Sequence, residues 1–234
     1  MPPSGVGNTD RWIAYSYLTE SAADKDLTYG RSFRGGVRFR TLCRSCNNGI
    51  GGKEDKAIID FFDRVRKLIH SPLLLSPIVR IPAKPNLIYR GLLAHIVSAN
   101  DSGVPNAFDV EARDIFFKRR SLRYTSLNLF FWIYSGNSLF LMRNAYSTVW
   151  HPSVQVTPIQ ILKVFPLGFM FVRRASFRNL TNLASYICEN DDDVVDVPIQ
   201  IYRREAHPVW PALAERGRLI MLAGDTYGLI GRKD

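Results

Sequence analysis

The residues best able to do chemistry stand together at 41–55, TLCRSCNNGIGGKED. Cys43 and Cys46 are spaced so that a tight turn between them aims both thiols at one ion, as structural zinc sites require. Asn47 and Asn48 follow at once, then a glycine-rich turn and the acids Glu54 and Asp55. Zinc in such a site takes four protein ligands, and the chain holds 3 Cys and 4 His in all from which to supply the others. The pair is thus either half of a metal site or two unmetallated thiols in a turn. Gly49, Gly51 and Gly52 permit the backbone a turn needs, and N–H groups at a helix start behind them suit a phosphate.

Three elements must position these residues. Upstream, in YGRSFRGGVRFRTLC, Val37, Phe39 and Thr41 alternate with Arg38 and Arg40, a strand pattern with one apolar and one cationic face. Downstream from Lys53, the residues Ile58, Phe61, Phe62, Val65, Leu68 and Ile69 recur at helical intervals, with Glu54 and Asp55 in the first turn where the helix dipole favours acids. Strand, Cys turn and helix are expected in that order.

Further along, Pro72, Pro77, Pro82 and Pro85 punctuate SPLLLSPIVRIPAKP, an extended connector or set of short edge strands and the best candidate boundary. Leu87–Ala99 and Val110–Arg120 read as helices, the second carrying the basic cluster Lys118, Arg119 and Arg120. Leu127–Tyr134 and Ser138–Met142 read as a β-hairpin about Ser135-Gly136-Asn137, and Ile159–Phe165 pairs with Phe169–Val172. A helix is expected around Phe177–Cys188, then the acidic run Glu189–Asp193 and a strand at Val195–Tyr202. Helices intermixed with antiparallel strands, without βαβ regularity, make the class α+β.

With 234 residues, 46% hydrophobic and 22% charged, the chain can bury a sizeable core. A formal charge of +10 and a pI near 9.7 create a field that attracts polyanions, which makes nucleic acid the leading partner. Arg31, Arg34, Arg38, Arg40 and Arg44 run without an acid after Asp26, and with Lys53 they are the candidate phosphate-facing residues. Three cysteines do not form a disulfide framework, and MPPSGVGNTDRW has no apolar secretory core, so a reducing, cytoplasmic setting is expected. The most apolar stretch, 125–144, is broken at 135–137, which argues against a membrane span.

The segment GGVRFRTLCRSCNNGIGGKEDKAIIDFF resembles the second half of the zinc-bearing HNH endonuclease motif, in the subgroup running strand, C-x-x-C-N-N, two residues, Gly, three residues, Asp, helix. Cys43, Cys46, Asn47, Asn48, Gly51 and Asp55 fall on that spacing. YRGLLAHIVSAN, ILKVFPLGFMFV and HPVWPALAERG look loosely like segments of long bacterial and phage proteins of this type.

The resemblance implies a partial ββα-metal unit within a region at 1–71, followed by an α+β domain at 86–234 of helices and antiparallel strands. It implies that Cys43 and Cys46 are the second pair of a structural zinc site. Asn47 would occupy the last ligand position for a catalytic Mg²⁺ or Mn²⁺, and a His general base would activate water against a phosphodiester. Asn48 and Asp55 would brace the turn and helix.

The chain departs from this pattern, because no Cys and no His precede Cys43. It is a degenerate relative, or its true start lies upstream of Met1, or a partner protein completes the site. Among the histidines, His70 falls at the far end of the first helix, about 25 Å from its start at 1.5 Å per residue. His95 sits among Leu92, Leu93 and Ile96 in the manner of a hydrogen-bonded core or edge residue. His151 and His207 each precede a proline and read as loop residues, and Cys188 reads as a thiol buried on the apolar face of its helix. The expected function is HNH-like nucleic-acid binding, DNA favoured, with metal-dependent phosphodiester hydrolysis. The alternatives are a non-catalytic DNA-binding or accessory subunit, and a structural or regulatory member, of a phage or defence assembly.

Overall fold

A computed structural model describes residues 11–16, 31–34, 51–99, 105–117, 121–149, 156–173, 177, 180–202, 204–205 and 218–233. The chain is α+β. Three α-helices are described: α1 (Gly51–Ile69), α2 (Pro85–Ser98) and α3 (Ala107–Phe116). In α1 the helical spacing puts Ala57, Ile58, Phe61, Phe62 and Val65 on one buried stripe, while Lys56 and Asp60 pair at 3.0 Å on the solvent face. α2 opens with Pro85, whose fixed φ suits the first helical position. It is apolar on nearly every side because α1 packs against one flank and α3 against another.

The strands are β1 (Arg11–Ser16), β2 (Arg31–Arg34), β3 (Ile78–Ala83), β4 (Leu127–Tyr134), β5 (Ser138–Val149), β6 (Val156–Val164), β7 (Leu167–Arg173), β8 (Thr181–Asn182), β9 (Val195–Gln200), β10 (Arg204–Glu205) and β11 (Arg218–Lys233). Among the described residues nine of them form one sheet in the order β10-β4-β7-β6-β5-β11-β1-β2, with β8 also on β4. All its pairs are antiparallel except the short β10–β4 contact. β3 and β9 make a separate ribbon, in which Pro82 faces Asp196 and Arg80 faces Pro198.

The central strands are buried on both faces, which explains the continuous apolar run LNLFFWIY in β4. Leu129, Phe131 and Ile133 join the core beneath the helices, where Phe61 meets Phe131 edge-on and Phe62 stacks on Phe169 with ring centroids 5.8 Å apart in both pairs. Phe130 and Trp132 enter a second cluster on the opposite face with Phe140, Met142, Ile161, Met170 and Phe177. The helix-side core draws on α1 as well as on α2, α3 and the sheet, so one apolar cluster includes residues from both sides of the proline-rich connector.

Two expectations are corrected. Leu127–Tyr134 and Ser138–Met142 are strands, but they do not pair with each other. β4 pairs with β7, and β5 with β6 and β11. The β6–β7 hairpin lies between them, and the link through Ser135-Gly136-Asn137 passes over its end, where Tyr134 N donates to the Pro166 carbonyl at 2.9 Å. Gly168 makes the β4–β7 pairing possible: a Cβ there would lie 2.5 Å from the Trp132 indole.

The helix expected around 177–188 is instead β8 followed by a short 3-10 turn, Leu183–Tyr186. Asn182 accepts from Leu129 N at 3.2 Å and donates to Asn128 Oδ1 at 2.9 Å, and Thr181 Oγ1 donates to the Pro198 carbonyl at 3.2 Å. These side-chain bonds hold the segment extended against β4 and β9 where a helix would forgo them.

Candidate functional site

The start of α1 is where the Cys–Asn run enters the described fold. Cys43, Cys46 and Asn47 themselves, with Arg38, Arg40 and Arg44, lie outside the described residues, as do Asn48, His151, His207 and the strand expected at 37–41. Within 1–71, where a ββα-metal unit is expected, the described elements are β1, β2 and α1. Arg31 and Arg34 are the two ends of β2, opposite Ala14 and Arg11 of β1, at the last position in the sheet order. The helix expected from Lys53 begins two residues earlier, at Gly51.

From that start the site builds inward. Gly91 of α2 has no side chain, and a Cβ there would lie 2.6 Å from Ile58 Cδ1 and 3.1 Å from Glu54 Cβ, so the two helices touch closely at this level. Glu54 is carried into the contact and buried. One turn further along α2, His95 meets Asp55, with Nε2 3.2 Å from Oδ1. The two atoms face each other without the alignment of a straight hydrogen bond. Burial lowers the His95 pKa, partly offset by the Asp55 carboxylate, so the imidazole is held neutral near pH 7.

The acidic run closes over the same end. Asp191 pairs with Arg90 of α2, and Asp192 lies 2.8 Å from Lys84 and 3.9 Å from Lys53. Asn86 fastens the turn's backbone, donating to the Cys188 carbonyl at 3.2 Å and accepting from Cys188 N at 2.9 Å. The Lys84 ammonium holds the Asp192 carboxyl below the usual carboxylate range. Lys53, a candidate phosphate contact, is thus an exposed cation with, among the described residues, one distant carboxylate partner, a pair weak enough for a phosphate to displace.

The structure therefore brings Asp55 and His95 together, while Lys53, two residues before Asp55 on α1, faces Asp192 instead. His70 lies at the far end of α1, exposed, its ring 6.1 Å from that of Phe165. Cys188 is corrected: it stands beyond the 3-10 turn and not on a helix, half-buried, with Sγ 3.3 Å from the Tyr186 carbonyl. Burial pushes its thiol pKa up. The partners Lys84, Asn86 and Arg90 are not among the residues expected from the sequence, since they stand about a hundred positions from the acids they hold and leave no local pattern.

Among the described residues no group of three or more His, Cys, Asp or Glu side chains is arranged to hold a metal ion, and no helix is long and apolar enough to cross a membrane. Comparison of the chain with protein-family models, curated proteins and solved structures gives no match.

Proposed function

We propose that this chain is a cytoplasmic nucleic-acid-binding protein related to the HNH endonucleases, with DNA its favoured ligand, and that it hydrolyses phosphodiesters with a divalent ion at Asn47. The observation that supports this is the Cys43-x-x-Cys46-Asn47-Asn48 run leading directly into α1, with Asp55 in the helix's first turns and Lys53 exposed beside it. Cys43 and Cys46 are thiolate donors suited to a structural zinc. Mg²⁺ or Mn²⁺ held at Asn47 would polarise the phosphate and take up charge on the leaving oxygen. The chain's own contribution is to bind the phosphate backbone with Arg31, Arg34, Arg38, Arg40, Arg44 and Lys53, and to fix the helix start against α2.

A second reading, a non-catalytic DNA-binding or accessory subunit whose partner protein completes the site, is favoured by the lack of any Cys or His ahead of Cys43. Plasmid nicking in Mg²⁺ or Mn²⁺ separates the two. The nuclease reading expects cleavage that falls at least about 100-fold in Asn47→Ala, and zinc content that falls in Cys43→Ser. DNA binding without cleavage selects the second reading.

A further inference from the structure

We infer that the cleft between two 3-10 turns, Leu122–Tyr124 and Leu183–Tyr186, binds a nucleoside monophosphate, with its phosphate on Arg123 and its body against an apolar lining. The choice of a nucleotide over another organic anion rests on the nucleic-acid reading above. It needs neither the Cys–Asn run nor catalysis.

The fold makes the cleft by fixing both turns at the head of β4. Ser121 Oγ accepts from Arg123 N at 3.3 Å and caps the first turn, and Asn182 Oδ1 accepts from Ala184 N at 3.1 Å and caps the second. Asn182 Oδ1 also accepts from Leu129 N at 3.2 Å, which ties the second turn to the strand. The space between them is about 330 Å³, the size of a small-molecule site.

The lining sorts by chemistry. Leu122 and Leu127 are buried, Ala184 and Ile187 half-buried, and together they offer an apolar surface. Among the described residues no acid lines the cleft. The Thr125 hydroxyl is engaged elsewhere, donating to Glu111 at 3.1 Å and accepting from Leu127 N at 3.1 Å. Asn182 Nδ2 donates to Asn128 Oδ1 at 2.9 Å, which uses one of its two hydrogens and leaves the other to a ligand. Ser185, exposed on the second turn, adds a hydroxyl.

The cation is loosely held. Arg123 has half its side chain exposed, and its ion-pair partner among the described residues, Glu189, stands 3.7 Å away with a side chain 76% exposed. A solvent-facing pair of this kind is weak, and a phosphate that offers two oxygens to the guanidinium fork displaces it. Tyr124, flanked in the chain by two residues that line the cleft, is 77% exposed, an aromatic face on which a base can stack. A nucleoside monophosphate answers the cation, the donors and the apolar lining at once. Bare phosphate answers only the first two.

A free mononucleotide and the 5′-phosphorylated end of a strand share this chemistry, so the test separates them. The full-length chain is titrated with deoxyadenosine 5′-monophosphate, inorganic phosphate, and one single strand with and without its 5′-phosphate. Backbone amide shifts locate binding, and duplex affinity and the urea midpoint are followed in parallel. Wild type is compared with Arg123→Ala and Ser185→Trp, both at exposed positions, the second filling the cleft.

The mononucleotide should bind saturably with shifts confined to residues 121–128 and 181–188, at least about 10-fold more tightly than inorganic phosphate. Arg123→Ala should weaken it at least about 10-fold, the loss of one charge-assisted contact, and Ser185→Trp should abolish it, both at the wild-type urea midpoint. If Ser185→Trp lowers that midpoint, Arg123→Ala decides. Competition by the phosphorylated strand and not by its unphosphorylated twin assigns a strand end, and no competition by either assigns the free nucleotide. Duplex binding without mononucleotide binding overturns the cleft and leaves the nucleic-acid reading standing. Shifts elsewhere, equal binding of inorganic phosphate, or an unchanged Arg123→Ala also overturns it. Mononucleotide in the cleft with no strand or duplex bound overturns the nucleic-acid reading instead.

Discussion

His95 feels two opposed effects, burial that disfavours its charged form and a carboxylate that favours it, and burial is the larger. Its folded pKa therefore lies below the unfolded value of about 6.5. Such a group binds fewer protons folded than unfolded, so its contribution is fully present above about pH 6.5 and is lost as pH falls through the lowered folded value. Urea midpoints measured from pH 7.5 down to 5 should fall, and in His95→Gln the same series should be flatter. Tyr89 shows the mirror case: its hydroxyl is buried, donates to the Leu127 carbonyl at 2.7 Å, and is held protonated far into alkali.

At the scale of elements, α3 is fixed by its buried apolar residues Phe108, Ala112, Ile115 and Phe116 and also by polar ties at its first turn. Asn106 caps it, accepting from Asp109 N at 2.9 Å, while Asp109 accepts from Asn106 N at 3.2 Å. The same Asn106 donates to Asn144 Oδ1 at 2.7 Å, and Asp109 pairs with buried Arg143. Asn144 has φ 57°, in the left-handed region that asparagine tolerates better than most residues. It marks the register shift in β5 between Met142 and Ala145. Glu111 pairs with Arg173 of β7, so two acids of α3 hold two strands. Asn106→Ala should destabilise the chain by about 1–2 kcal/mol, read from the urea midpoint. Asn106→Asp, which keeps the cap, should lose less.

At the scale of the whole molecule, the charge of +10 is a statement about partners, since a field of this sign raises the local concentration of a polyanion whatever site it finds. On the proposed function, part of that charge meets phosphates and displaces counterions. Arg38→Glu together with Arg40→Glu should weaken duplex binding and reduce the slope of log affinity against log salt by about 2, the value for two lost phosphate contacts. An unchanged slope would place the phosphate-binding surface elsewhere.

Periodicity in the sequence determined the identity of most elements: α1 and α2, the strand character of β4 to β7, and the pairing of β6 with β7 through a short turn. α3 was legible as a helix, but its start at Ala107 depends on the Asn106 cap. The fate of β4 and β5 was not legible, because a turn signal at Ser135-Gly136-Asn137 speaks only for adjacent segments. Gly168 beneath Trp132 is what lets β7 take the place beside β4.

The candidate site divides in the same way. Lys53 and Asp55 could be singled out at the helix start, whereas His95 reads as a hydrogen-bonded core or edge residue. The meeting of Asp55 with His95 depends on the close passage of α1 over Gly91, and the strapped acidic turn depends on Lys84, Asn86 and Arg90. A chain's local pattern sets which face each segment buries. Only the packed core decides which distant segments those faces meet.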